Sequence, residues 1–547
     1  MKSTSLFGLL IIVVIGCLTT FTSAFNFVDP LEQDNTAILE TIYGSVQGLV
    51  YDNYAAFLGI PFAAPPVGPA RWQSPIDPKS WAPNVLDARN FQAGCPQMCE
   101  LPPGTCPNVT SEDCLYLNVF VPLSVIQNTT SSLRPVMAFL PGGRFEQGSA
   151  ASTLYIGDTM VSSAEAIVVT INYRLGALGF LLTDDFTGNF GFQDQRQALY
   201  WIQNNAKFFG GDANQVTLVG QSAGATSIAT HITSPLSFGL FHRVIVESDP
   251  WTLGLKTQEI AQQYSLLFAN AVGCSFKNAD CLLALTVDQV LLGQQKAQQS
   301  LDPLIPLASF LPWTPTIDGD DIIDQPLNLI KAGKFYQVPM IVGSVSEEAL
   351  IFIYQAAAKN VSALQYEEAL GLIFLNHAPF INDRYPPIVG ADNRPVLSTL
   401  GTDYIFVCPV RNTSRYIADI QASNNVPIYN YQFQHVTGAD FWGPNFPDCV
   451  GHVCHGSELL YVWNSAARGG VPLTDGEQQL SINMNNYWMN FVVNGDPNVG
   501  LPVPVEWPTY NTTTDETMIF QTPPFVQSGL LKSQCDYLDE MGYDNPR

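Results

Sequence analysis

Gln215-Val216-Thr217-Leu218-Val219-Gly220-Gln221-Ser222-Ala223-Gly224 is the stretch from which the fold is read. A β-branched, apolar run ends at Gly220, and a helix-compatible run begins at Ala223. Strand, turn and helix around a G-x-S-x-G pentapeptide predict a sharp turn that exposes a serine hydroxyl at the end of a strand. Such a turn leaves no room for side chains beside the serine, hence Gly220 and Gly224. It also aims the Ala223 N–H and the helix N-terminus at the place where an oxyanion would develop. The pentapeptide alone is weak, since chance yields roughly 0.2 matches in a chain this long. Its setting makes it informative.

Outward from this stretch, short β-branched or aromatic runs stand apart: 135–140, 166–171, 216–219, 244–247, 338–342 and 428–433. Helix-like segments lie between them, as at 193–208, 259–272 and 474–493. Buried strands alternating with helices predict an α/β protein with a mostly parallel sheet covered on both faces. No repeat, low-complexity tract or linker divides the chain, so residues 25–547 read as a single domain.

The 547 residues are 46% hydrophobic and 13% charged, enough to bury a large core. The net charge of −25 opposes nucleic acid and anionic membrane surfaces as partners, because both carry the same sign. It is compatible with a mildly acidic compartment. Residues 1–24 read as a signal peptide: Lys2, an apolar run from Leu6 to Leu18, then Thr22-Ser23-Ala24. That apolar run is short for a membrane span, and no second one follows, so no membrane-spanning helix is expected. Removing Cys17 with the leader leaves ten cysteines, an even number that reads as a disulfide set. Sequons at Asn108, Asn128, Asn360, Asn412 and Asn511 fit the same route. The expectation is a glycoprotein that is secreted or held in secretory or lysosome-like vesicles.

A serine nucleophile needs a base and a group to orient it, which behind such a turn follow in the order Ser, acid, His. All six histidines lie downstream of Ser222, so order excludes none. His231 sits in the turn's own helix and should point elsewhere. His242, His377, His435, His452 and His455 stay open on spacing alone.

Further segments carry a resemblance. They are Phe57-Leu58-Gly59-Ile60-Pro61-Phe62-Ala63, Ser111-Glu112-Asp113-Cys114-Leu115-Tyr116-Leu117-Asn118, Asn172-Tyr173-Arg174-Leu175-Gly176, Asp194-Gln195, Phe209-Gly210-Gly211-Asp212 and Gly495-Asp496-Pro497-Asn498. With them the chain resembles the type-B carboxylesterases, the cholinesterase-like branch of the α/β-hydrolases, from about Ile42 to about Cys535. The resemblance implies an α/β-hydrolase fold with an active-site gorge and ester hydrolysis without metal or cofactor. It implies Ser222 as nucleophile, Glu348 (in Gly343-Ser344-Val345-Ser346-Glu347-Glu348) as acid, and His455 as base. Phe352 stands at a matching aromatic position, and Glu347 is the neighbour that usually faces solvent. Backbone N–H groups of Gly143, Arg144 and Ala223 form the implied oxyanion hole. Arg71 and Glu112 match a family ion pair, and Ser248 a family serine near the acid. The family pattern also suggests the pairs Cys95–Cys114, Cys274–Cys281 and Cys408–Cys535. Cys99–Cys106 would then pin the loop inside the first pair, and Cys449–Cys454 would close a small loop before His455.

The chain departs from the family at several points. The oxyanion loop, usually His-Gly-Gly-Gly-Phe or similar, reads Pro141-Gly142-Gly143-Arg144-Phe145. Arg144 keeps its N–H, but its side chain must narrow the pocket, favour an anionic acyl group, or pair with Glu146 and turn away. Gln221 replaces the usual Glu and removes a charge beside the triad. No Trp lies between Cys95 and Cys114, which opposes a choline-ester specialist. The same loop is short, proline-rich and pinned, a poor mobile lid for a true lipase. These features imply a serine carboxylesterase acting on small soluble esters, of undetermined oligomeric state. The alternative is a catalytically weak or silent binding or storage glycoprotein on the same scaffold.

Overall fold

The structure is a computed structural model that describes residues 35–127, 132–301, 307 and 310–543. The expected signal peptide and Asn128 lie outside the described residues. The strands are β1 Thr36–Leu39, β2 Ser45–Val50, β3 Tyr54–Pro61, β4 Val85–Asp87, β5 Tyr116–Pro122, β6 Arg134–Leu140, β7 Ile167–Ile171, β8 Gly211–Gln221 and β9 Arg243–Glu247. They continue with β10 Lys256–Thr257, β11 Thr316–Ile317, β12 Met340–Val345, β13 Ile428–Phe433, β14 Glu516–Phe520 and β15 Phe525–Ser528. One sheet runs β1-β2-β3-β5-β7-β6-β8-β9-β12-β13-β14-β15, with β4 beside β2. From β7 to β14 every neighbour pair is parallel. The series β1-β2-β3-β5-β7 is antiparallel, and so is the pair β14-β15. The expected runs 135–140, 166–171, 244–247 and 428–433 match strands to within a residue, whereas β12 is shifted C-terminally by two to three residues.

Alternation along each strand splits the core in two. Val136, Ala138, Leu140, Leu218, Val244, Val246 and Val342 face one side. There the helices Phe190–Asn205 and Ala223–His231 cover them with Leu199, Ile202 and Ile228. Met137, Phe139, Val219, Ile245 and Ile341 face the other side, against Trp463 and against Trp488 of helix Asp475–Asn494. Both faces of the parallel strands are therefore buried, which is why they read as continuous apolar runs. Among the described residues no helix is long and apolar enough to cross a membrane.

Motif residues far apart in sequence meet here. The Arg174 backbone N–H and Nε donate to Asp194 Oδ2 at 3.0 and 2.8 Å, and Nη2 donates to Oδ1 at 2.7 Å. Arg174 Nη1 donates to the Gln73 carbonyl at 2.9 Å. Both side chains are buried, to 4% and 0% exposure. The neighbouring Gln195 donates to Ser227 Oγ at 2.9 Å and pairs with His231 Nε2 at 3.2 Å. These bonds lock helix Phe190–Asn205 to the helix that follows Ser222. All five expected disulfides are present: Cys95–Cys114, Cys99–Cys106, Cys274–Cys281, Cys408–Cys535 and Cys449–Cys454. Asn108, Asn360 and Asn511 are exposed, whereas Asn412 is half-buried on helix Cys408–Gln421.

Asp194→Ala should strand the Arg174 charge in the core. Urea unfolding should show a loss of about 3–5 kcal/mol, because a broken buried pair leaves an uncompensated ion. A loss below about 1 kcal/mol would show that the pair is not what locks this helix.

Candidate active site

β8 ends at Gln221, and the helix Ala223–His231 starts one residue later. Ser222 between them has φ 58° and ψ −120°, a conformation that L-residues avoid and that costs on the order of 1–3 kcal/mol. The turn is this tight because a Cβ on Gly224 would stand 2.0 Å from the Leu140 carbonyl oxygen. The Ser222 N–H donates to the Glu247 carbonyl at 2.9 Å, fastening the turn to β9. Ser222 is 9% exposed and opens on a cavity of about 460 Å³ that His455, Gly142 and Arg144 also line.

Glu348 follows β12 and is fully buried, while His455 is 10% exposed. The Glu348 carboxylate lies 2.5 Å from His455 Nδ1 and accepts its N–H. On the other side of the ring, Gln221 Nε2 lies 3.1 Å from His455 Nε2. Among the described residues these are the ring's hydrogen-bond partners. The imidazole is flanked by Phe352 and Phe406, with ring centroids 5.1 and 5.3 Å away. Phe406 belongs to a π-helical turn, Thr402–Val407, of the kind found at functional sites.

The His455 loop is held by more than Glu348. Glu347 Oε1 lies 2.8 Å from His452 Nδ1, and Oε2 accepts the Val453 N–H at 2.7 Å. The Glu347 N–H returns a bond to the Val453 carbonyl at 3.2 Å. Glu347 is thus a clamp as well as the solvent-facing neighbour, its side chain 36% exposed. The reason is local: two adjacent carboxylates grip two histidines three residues apart, across the loop closed by Cys449–Cys454.

The other histidines stay away from the serine. Buried His231 bonds Ser237 Oγ at 2.8 Å and stacks on Phe192; burial, then Arg196, push its pKa well below the usual value. His242 Nδ1 accepts the Val216 N–H, His435 pairs with Glu477, and His377 is exposed.

In the oxyanion loop, Gly143, Arg144 and Phe145 have φ of 121°, 61° and 60°. The Gly143 carbonyl turns back to accept the N–H groups of Glu146 and Gln147, each at 3.0 Å. Tyr173 donates its hydroxyl to the Pro141 carbonyl at 2.7 Å. Of the three options for the Arg144 side chain, the pairing with Glu146 is present. Arg144 Nη2 lies 3.5 Å from Glu146 and donates to the Phe310 carbonyl at 2.8 Å, and the guanidinium sits 5.2 Å from the Phe310 ring. Arg71 and Glu112 form a bidentate pair at 2.6 Å, and Ser248 Oγ reaches Glu458 Oε1 at 3.4 Å.

The Cys95–Cys114 loop forms one cavity wall and is sewn to the oxyanion loop. Gln97 donates to the Gly148 carbonyl at 2.9 Å and accepts the Gly148 N–H at 2.8 Å. The Glu100 N–H donates to Gln147 Oε1 at 2.9 Å. Ser152 and Thr153 both bond the Gly104 carbonyl.

Sequence reading missed Phe406 and the position of the Gln221 amide. Nothing in 402–407 signals a π-turn, and Gln221 was weighed only as a lost charge. It also missed the acids behind the site. Burial pushes Glu247 up to about 8 and Asp249 to about 7. Burial, with Glu348 and Glu247 nearby, holds Glu458 well above the usual carboxyl range.

A fold and a site of this form belong to a class of hydrolases built around a strand-end serine, and the comparisons are specific. The sequence profile of the "Carboxylesterase family" matches residues 35–538, and the chain belongs to that family. It is 40% identical over 519 residues to the cAMP-regulated D2 protein of Dictyostelium discoideum, covering 94% of this chain and 95% of the relative. It is 38% identical to the Crystal protein of the same organism, covering 93% and 92%. Among solved structures it is similar to a PNB esterase, with a TM-score of 0.77 and 29% identity over 92% of this chain and 99% of that one.

The buried acids set a pH dependence of stability. A carboxyl raised to about 8 in the folded state keeps a proton that the unfolded chain releases near its ordinary value of 4.5. Stability from this source is full below that value and is lost as pH rises toward 8. Urea unfolding should show the protein less stable at pH 8 than at pH 5, by at least about 1 kcal/mol. Glu247→Gln, which keeps an acceptor for Trp488 Nε1, should shrink that difference; an unchanged difference would assign it to other groups.

Proposed function

We propose that this chain is a serine carboxylesterase of the secretory route that hydrolyses small soluble carboxylic esters. The observation that carries the reading is the Glu348–His455 hydrogen bond, with His455 lining the cavity on which Ser222 opens. Ser222 Oγ attacks the ester carbonyl carbon as its proton passes to His455 Nε2. The carbonyl electron pair moves to oxygen, facing the N–H groups of Gly143, Arg144 and Ala223. Each such donor is worth about 2.7–4 kcal/mol of barrier. Collapse expels the alkoxide, which takes the proton from His455. Water then attacks the acyl carbon while giving a proton to the same nitrogen, and the Oγ–C bond breaks as His455 returns that proton to Ser222 Oγ and the acid leaves. Glu348 holds the imidazole tautomer and stabilises the imidazolium.

The five disulfides support an oxidising route, and the leader at 1–24 supports secretion or vesicle delivery. Asn108, Asn360 and Asn511 are the sequons best placed for glycans. Pairing with Glu146 and Phe310 occupies the Arg144 guanidinium and leaves its backbone N–H as an oxyanion donor. The sewn Cys95–Cys114 loop favours soluble esters over lipid interfaces.

A second reading is a catalytically silent storage glycoprotein. The Gln221 amide on His455 Nε2 favours it, and one relative is named a crystal protein.

A fluorophosphonate probe should label the wild type and not Ser222→Ala. Hydrolysis of p-nitrophenyl acetate and butyrate should vanish with the label. A folded wild type that neither labels nor turns over would favour the storage reading. Rates on a short-chain ester should not jump as it passes its solubility limit; a jump would mean that the loop opens at an interface.

A further inference from the structure

We propose that Gln221 is a positioning residue that latches the base: its amide occupies the lone pair of His455 Nε2 at rest, and Ser222 reacts only when the amide has left. The inference rests on the esterase reading above and deepens it. Its ground is the geometry around one ring nitrogen. His455 Nδ1 faces the Glu348 carboxylate at 2.5 Å. A carboxylate only accepts, so Nδ1 carries the hydrogen. The Nε2 of the neutral ring is then an acceptor, and the group opposite it must donate. Gln221 Nε2, at 3.1 Å, is that group. The nitrogen that must receive the serine proton is already bonded.

The latch has little freedom. Gln221 ends β8 opposite Glu247 of β9, so its backbone is fixed by the sheet register. Its side chain is 4% exposed, and Oε1 lies 2.7 Å from where a Cβ on Gly142 would stand. The amide is wedged between the oxyanion loop and the histidine loop. A carboxylate there could not play this part, since it has no hydrogen to donate to Nε2. The exchange of Glu for Gln therefore does more than remove a charge. It converts the residue before the nucleophile into a competitor of the nucleophile for the same lone pair. Ser222, Gln221 and His455 all line the cavity. An ester seated there offers carbonyl and alkoxy oxygens that accept the amide hydrogens, so substrate itself supplies the alternative partner. When the amide swings to it, Ser222 Oγ–H takes its place on Nε2.

The test uses the full-length glycoprotein and two variants. Gln221→Met keeps the volume without donors, and Gln221→Ala guards against a Met that does not pack. With histidine labelled in the ring nitrogens, the His455 Nε2 resonance should move toward that of an unbonded imidazole nitrogen in both variants. The second-order rate of fluorophosphonate labelling, and kcat/KM for p-nitrophenyl acetate, should rise about three- to tenfold, as expected for one neutral hydrogen bond removed. A merely structural role would lower both rates and the melting temperature. An unmoved Nε2 resonance, or a labelling wild type whose folded variants react no faster, overturns the latch. Absence of labelling in wild type and variants alike instead overturns the esterase reading.

Discussion

The left-handed backbone at Ser222 is the constraint on which the rest of the molecule depends. It exists only because β8 stops where the Gly224 Cα can lie against the Leu140 carbonyl, a contact that any side chain would break. The Ser222 N–H bond to Glu247 ties the turn to β9, and the indole of Trp488 donates to the Glu247 carboxyl at 2.6 Å. A turn that costs on the order of 1–3 kcal/mol persists because the parallel strands around it are packed on both faces and cannot relax. The sheet is the device that holds one serine in an unfavourable posture.

The acid and the base come from loops after different strands, and each loop is secured separately. β12 places Glu347 and Glu348 in sequence, so their carboxylates reach two points of the incoming loop, Val453 with His452 and His455. The Cys449–Cys454 bridge shortens that loop to a small ring just before the base. Phe352 and Phe406, stacked 6.4 Å apart, then pack against the imidazole at a tilt and restrict it. The ring is oriented by a charge at one nitrogen and by aromatic walls, which leaves the second nitrogen as the variable point of the site. In this chain that point is taken by an amide.

How much of this was legible follows from what each feature depends on. The parallel strands and the serine turn rest on local pattern, and both are readable in 215–224. Three of the disulfide pairs, and Glu348 and His455, came from resemblance rather than spacing, because pairing depends on where loops end in space. The antiparallel β1-β2-β3-β5 margin escaped because those strands pair with one another across turns that periodicity does not register. The π-turn that aims Phe406 at His455 changes one hydrogen-bond step in a helix, and no residue type in 402–407 encodes it. Gln221 was visible as a substitution, but its partner was not. A side chain at a strand end can point at the loop after any neighbouring strand. The Arg144 outcome likewise needed the positions of Glu146 and Phe310, which only the folded loops bring together.

The interior chemistry explains how a chain with a net charge of −25 can place several acids behind His455. Ionised carboxylates at Glu247, Glu458 and Glu348 would repel one another in a medium that screens little. Burial eases the conflict by pushing Glu247 up to about 8 and Glu458 well above the usual carboxyl range, and Glu348, with the imidazole as its partner, keeps the role of acceptor. Such an interior gains stability as the medium becomes more acidic, because the raised carboxyls hold protons that the unfolded chain would release.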